Sequence, residues 1–129
     1  MPLLLEGLRI LIVDDDPDTL ELNELILSKA GASTLVASDI RQAVEAFRTG
    51  RPDVLLCDLN LGESSDGCDL IRSLRDVVGH AIPAIALSGT PRHIAEERAL
   101  KSGFSAYVEK PVSPDVLGKT IKKAATRPV

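Results

Sequence analysis

Ile10-Leu11-Ile12-Val13-Asp14-Asp15-Asp16-Pro17 is the stretch on which the fold of this chain turns. Four apolar residues form a strand-like run that delivers consecutive carboxylates to one point, and Pro17 then opens a new element. Like charges a few ångströms apart raise one another's pKa, so the cluster is costly unless something offsets it. Acids at the mouth of a buried strand therefore point to a cation.

Outward from this run, short apolar stretches alternate with helix-period segments five times. The first strand, Arg9–Val13, leads to a helix from Pro17 to about Ala30, with Leu20, Leu22, Leu25, Ile26 and Leu27 as its apolar side and Gly31 as its stop. Thr34–Ala37 reads as a weaker second strand. Ser38 is a capping residue for a helix carrying Ile40, Ala43, Val44 and Phe47 before Gly50. Val54–Cys57 is a third strand ending at Asp58. A loop with Gly62, Ser64, Ser65 and Gly67 leads from it into a helix over roughly Asp69–Val77. Pro83 precedes a fourth strand, Ala84–Leu87, and Thr90-Pro91 has cap and first-turn chemistry for a helix to about Ser102, closed by Gly103. Ser105–Val108 is the fifth strand, and Ser113-Pro114 opens a last helix to about Ala125.

Strands apolar on both faces and separated by helices predict an α/β, doubly wound architecture: a five-stranded parallel sheet covered on both sides by right-handed crossovers. A length of 129 residues suits a single domain, 1–129, with its core over about 8–125. The net charge of −4 gives no general affinity for nucleic acid. Three aromatic residues, Phe47, Phe104 and Tyr107, are too few for a base-stacking platform, so direct nucleic-acid binding is not expected. Cys57 and Cys68 lack metal-ligand spacing and read as buried reduced thiols, which suits the cytoplasm. Leu3-Leu4-Leu5 is too short for a signal-peptide core or a membrane segment. His80 and His93 follow no strand end and read as solvent-exposed.

Open parallel sheets bind ligands beyond the carboxyl ends of their strands, where strand order reverses. The residues just past each strand are Asp14, Asp15 and Asp16 after the first, Asp58 after the third, Ser88 after the fourth and Lys110 after the fifth. The second strand offers only Ser38 and Asp39, as an edge strand would. Singly, each has an ordinary reading: Asp16 beside Pro17 as a helix cap, Ser88 as a turn residue, Lys110 as a surface cation, Tyr107 as core. Together they are four chemical types on one rim. Asp15 and Asp58 suit a hard divalent cation, with Asp14 acting directly or through water. Mg²⁺ fits because it takes a few carboxylates and keeps waters for phosphate oxygens. A cation, an ammonium and a hydroxyl are apt partners for the equatorial oxygens of a transferring phosphoryl group, and a carboxylate can be the nucleophile.

On these residues the chain resembles the receiver domains of two-component response regulators. The resemblance covers roughly residues 8 to 125, and implies a flavodoxin-like (βα)5 sandwich with strand order 2-1-3-4-5. It implies that Asp14 and Asp15 are the acidic pair for Mg²⁺ (or Mn²⁺ in its place). Asp58 in Asp58-Leu59-Asn60-Leu61 looks like the phosphoacceptor, with the Asn60 backbone carbonyl as a further metal ligand. Ser88 in Ala86-Leu87-Ser88-Gly89 resembles the hydroxyl switch residue. Lys110-Pro111 looks like the family's lysine with its usual cis proline, and Tyr107 occupies the aromatic switch position. By the same resemblance, a histidine kinase or histidine phosphotransfer domain donates the phosphoryl group. A downstream protein reads the face formed by the fourth helix, fifth strand and fifth helix. Self-catalysed phosphotransfer and autodephosphorylation are implied, with the side chains of Asn60 and Thr90 tuning the lifetime. The Asp58–Gly67 segment departs from the pattern: it is one residue longer than the commonest form and has Gly62 where proline is usual. The lead-in Leu5-Glu6-Gly7-Leu8-Arg9 resembles the entry to receivers of hybrid histidine kinases, so a stand-alone regulator and a receiver from a longer kinase both stay open.

Two rivals share a similar sheet. A haloacid-dehalogenase-like Mg²⁺-dependent phosphohydrolase uses the same residue types, but with its nucleophile after the first strand and its acidic pair late. Here the order is reversed. An FMN binder would need a Ser/Thr/Gly-rich turn of backbone N–H groups where this chain has acids.

Overall fold

The computed structural model describes residues 3–61, 66–79 and 82–126. Ten elements alternate strictly: β1 (Arg9–Val13), α1 (Pro17–Lys29), β2 (Ser33–Ala37), α2 (Ile40–Gly50), β3 (Val54–Asp58), α3 (Gly67–Val78), β4 (Ala84–Ser88), α4 (Arg92–Ser102), β5 (Ala106–Glu109) and α5 (Pro114–Thr126). The strands form one sheet in the order β2-β1-β3-β4-β5, every neighbouring pair parallel. The expected doubly wound sandwich is therefore observed, with β2 at an edge.

Strand alternation divides the core in two. Leu11, Leu55, Cys57, Ala84 and Ala86 face α2, α3 and α4, where they meet Phe47, Leu74 and Ala99. Ile10, Ile12, Leu56, Ile85 and Leu87 face α1 and α5, where they meet Leu27, Leu117 and Ile121. β3 and β4 are buried along their whole length, as central strands covered on both faces must be. Residues ahead of β1 close the base of the sheet. Leu5 is fully buried and its N–H donates to Ala30 O at 2.9 Å. Leu4 lies over Gly118 of α5, where an added Cβ would come within 3.1 Å of Leu4 Cδ2.

Several local expectations need correction. Leu22 and Leu25 do not join the core of α1 but are about half exposed, at 55% and 52%; the buried residues of that helix are Leu27 and Asn23. Asp39, not Ser38, caps α2: its Oδ1 accepts the Gln42 N–H at 2.8 Å, while Ser38 bonds the Gln42 side chain. Gly50 is the last residue of α2 rather than its left-handed stop, a role taken by Arg51 at φ +46°. A Cβ at Gly50 would meet only the end of the Leu35 side chain, which would have to turn aside. α3 starts earlier than expected, at Gly67, behind a capping box of Asp66 and Asp69. α4 starts at Arg92 with Pro91, not Thr90, at its N-cap. β5 begins at Ala106; Ser105 ahead of it holds Ala84 from both sides, its Oγ accepting the Ala84 N–H at 3.1 Å and its N–H donating to Ala84 O at 2.7 Å. Gly31 and Gly103 stop α1 and α4 as expected, both with positive φ. Cys57 and Cys68 are free and buried, and burial holds the Cys57 thiol well above its ordinary pKa. His93 is exposed; His80 and the Gly62, Ser64 and Ser65 loop tip lie outside the described residues.

Candidate functional site

Register assembles the rim. Val13 pairs with Cys57, so Asp14, the next residue, emerges beside Asp58. Asp58 pairs with Leu87 and Ser88 with Glu109, which sets Lys110 beyond the fourth and fifth strand ends. The Lys110 N–H donates to Ser88 O at 2.7 Å, and the Lys110–Pro111 peptide is cis.

Asp58 is 8% exposed and both carboxylate oxygens are engaged. Oδ1 accepts the Asn60 N–H at 2.9 Å and Oδ2 pairs with Lys110 Nζ at 2.7 Å. This ion pair spans 52 residues of sequence and is the strongest contact in the site. Gly67, first residue of α3, presses on the same strand end. A Cβ there would lie 3.1 Å from Asp58 O and from Cys57 Sγ, and 3.0 Å from Leu59 Cδ2.

Asp14 is 2% exposed. Its Oδ1 accepts the Asp16 N–H at 2.9 Å, but Oδ2 is buried without a hydrogen-bond partner. Burial raises its pKa to about 6, with the Asp58 and Asp15 charges adding to the rise against the Asp16 N–H and Lys110. Asp15 is exposed, and Asp16 sits at the N-cap of α1, where its carboxylate takes the Thr19 hydroxyl and its pKa is lowered by that bond. Among the described residues, no three His, Cys, Asp or Glu side chains stand close enough to make a ready-formed metal cage. The fit to a cation rests on Asp14: an orphaned, buried carboxylate oxygen beside a second carboxylate is a site that a hard divalent ion relieves. Mg²⁺ needs few protein oxygens because it keeps its own waters.

The Ser88 Oγ, buried at the end of β4, accepts the Thr90 N–H at 3.0 Å. Tyr107 is 3% exposed and its hydroxyl donates to Thr90 O. Hydrogen bonds thus link Asn60, Asp58 and Lys110, and through the Lys110 N–H they run on to Ser88, Thr90 and Tyr107, with Asp14 beside Asp58. Two residues were not singled out. Arg92 donates from Nη2 to Tyr107 O at 3.0 Å, and Glu109 accepts the Arg92 N–H at 2.7 Å. The signal for Glu109 was Pro91: a helix start without a capping side chain needs an acceptor from elsewhere.

Against known proteins, the family model described as the response regulator receiver domain matches residues 10–122. An uncharacterised 14.6 kDa protein of Leptolyngbya boryana is 39% identical over 111 residues, 85% of this chain and 84% of that protein. The DNA-binding response regulator MtrA of Mycolicibacterium smegmatis is 36% identical over 119 residues, covering 92% of this chain but 51% of MtrA. The chain thus spans about half the length of its MtrA relatives. Among solved structures, a receiver domain protein of Clostridium thermocellum superposes with a TM-score of 0.81 at 27% identity, covering 92% of this chain and 94% of that one. The receiver domain of RstA from Klebsiella pneumoniae does so at 0.83 and 27%, covering 92% and 99%.

Proposed function

Because the chain belongs to the response regulator receiver domains, we propose that it is a phosphoacceptor switch in which Asp58 takes a phosphoryl group from a phosphohistidine. The observation that carries this reading is the Asp58 carboxylate, buried at a strand end, paired with Lys110 at 2.7 Å and flanked by the orphaned Asp14 oxygen. An Asp58 oxygen attacks phosphorus, the P–O bond forms as the P–N bond breaks, and the imidazole, already protonated on its other ring nitrogen, leaves as the neutral base. Lys110 neutralises charge on the phosphoryl oxygens. Ser88 gives up its Thr90 contact to donate its hydroxyl to the acyl phosphate. A divalent cation, Mg²⁺ by chemistry, would be held by Asp14, Asp15, Asp58 and the Asn60 carbonyl, and supplies charge neutralisation.

The donor, a histidine kinase or phosphotransfer domain, has a place to sit. The half-exposed Leu22 and the partly buried Ile26 of α1 border a groove of about 470 Å³ that continues to Lys110, Pro111 and Val112. On the other flank, Leu100, Ala106 and Lys123 line a groove of about 320 Å³ on the α4-β5-α5 face, the surface we assign to a downstream protein. Among the described residues, no helix is long and apolar enough to cross a membrane, and the reading places the domain in the cytoplasm. Incubation with Mg²⁺ and a small acyl phosphate, followed by intact-mass measurement, tests the assignment. One phosphoryl adduct is expected, absent in Asp58→Asn and Asp58→Ala. An adduct that survives both substitutions overturns it.

A further inference from the structure

We propose that Arg92 is a positioning residue that clamps the Tyr107 ring inward, and that Glu109 holds Arg92 in place to do so. α4 begins behind Pro91, which has no side chain to cap it. The missing acceptor comes from the neighbouring strand: Glu109 Oε1 takes the Arg92 N–H at 2.7 Å. A carboxylate at a helix N-terminus also complements the helix dipole. With its backbone fixed, Arg92 folds back over β5. Its Nη2 donates to Tyr107 O at 3.0 Å, its Cζ stands 5.8 Å from the Tyr107 ring centroid, and Nη1 pairs with Glu96 one turn on.

Tyr107 is therefore pinned at three points. Its hydroxyl is held by Thr90 O, its carbonyl by Arg92, and one face of its ring is covered by the guanidinium. Every one of these contacts is made by the chain itself, and neither Arg92 nor Glu109 hydrogen-bonds Asp58 or the Lys110 ammonium. The half-exposed cation–π contact biases the inward-to-outward ratio of the ring by about two- to fivefold, and the charge-assisted bond to the Tyr107 carbonyl holds the guanidinium in place over the ring. The position of the aromatic switch is thus set at the start of α4. Phosphoryl transfer adds to this bias rather than creating it. The inference rests on the switch reading above, in that it gives the ring a role, but the contacts are independent of the chemistry at Asp58.

Tyr107 is the sole tyrosine in a chain without tryptophan, so intrinsic emission reports this ring alone. In the unphosphorylated full chain, wild-type emission should resist acrylamide. Arg92→Ala should raise the quenching constant towards that of the urea-unfolded chain, reflecting a loss of inward bias of about two- to fivefold. Glu109→Ala should act in the same direction, whereas Glu109→Gln, which keeps an acceptor, should stay near wild type. Arg92→Lys should fall between, since an ammonium keeps the charge without the planar fork. A circular dichroism melt of each variant separates ring release from unfolding. Beryllofluoride with Mg²⁺, a phosphoryl mimic, should restore protection to Arg92→Ala. Equal protection in wild type, Arg92→Ala and Glu109→Ala overturns the clamp, and so does a freely quenched wild-type ring. Failure of beryllofluoride to protect a variant that still takes up phosphoryl overturns the claim that clamp and transfer act on one ring position. Loss of the Asp58 adduct in the mass experiment would instead overturn the switch reading and leave the quenching result standing.

Discussion

Replacing Asp14 by Asn should stabilise the metal-free protein while abolishing its response to Mg²⁺. The Asp14 carboxyl has a folded-state pKa of about 6 against an ordinary 3.8, because burial, and then the Asp58 charge, disfavour its ionised form. A carboxylate whose pKa is raised on folding binds more protons folded than unfolded between those two values. Stability therefore falls as pH rises through roughly 4 to 6 and is flat above. Two pKa units correspond to about 3 kcal/mol, the cost of holding the ionised group at pH 7.5. Asn keeps an oxygen for the Asp16 N–H, 2.9 Å away in the wild type, and carries no charge. With a urea m-value near 2 kcal/mol per molar, the unfolding midpoint in a chelator should rise by about 1.5 M. Added Mg²⁺ should raise the wild-type midpoint by mass action, closing much of the gap, and leave the variant unmoved. Urea titrations of both proteins at pH 4.5 and 7.5, each with chelator or with Mg²⁺, read all four quantities. A variant that is less stable than wild type at pH 7.5 in chelator would refute the reasoning, as would an equal response of the two proteins to Mg²⁺.

Lys110→Ala should lower the rate of phosphoryl uptake by about a hundredfold, the usual cost of removing one preorganised electrostatic partner, as measured by the time course of the mass adduct. Gly67→Ala and Gly50→Ala make a controlled pair. Gly67→Ala forces a methyl against the Asp58 carbonyl, at 3.1 Å, and should cost about 1–3 kcal/mol in urea unfolding, whereas at Gly50 the methyl meets only the movable end of the Leu35 side chain and should cost less. Gly67→Ala should therefore also slow phosphorylation, and Gly50→Ala, against Leu35, should not. Cys57 and Cys68, both buried, should react with an aromatic disulfide reagent only when the chain unfolds, so a thiol titration in buffer should read close to zero and in urea close to two.

Strand ends were legible because their information is local. An apolar run stops at an acid, hydroxyl or lysine, and a parallel sheet gathers those stops on one edge. That logic located Asp14, Asp58, Ser88 and Lys110 without knowledge of register. It failed where two neighbouring residues compete for one backbone role. Ser38 and Asp39 both cap helices, and only the extended backbone of Asp39, at φ −151° and ψ 175°, decides between them. Helical periodicity also misplaced Leu22 and Leu25. The α1 face they form is apolar enough to look like core, but the sheet has room beneath it only for Leu27, Asn23 and their neighbours. Arg92 and Glu109 were not legible as a pair: Pro91 signals only that the start of α4 lacks a capping side chain, and the carboxylate that answers it lies 17 residues away on another element.

The buried leucine ahead of β1 has a practical meaning for anything joined to this domain. Leu5 and Leu4 bind the incoming chain to the end of α1 and the middle of α5, at the pole opposite the carboxylates. Residues 3–5 are thus moored against Gly31, Ala30 and Gly118. A bulky neighbour, tag or surface attachment on that side leaves the reactive pole open to an incoming donor. The same mooring makes the base a handle: pulling on it loads α1 and α5 together, the two helices that flank the groove beside Lys110.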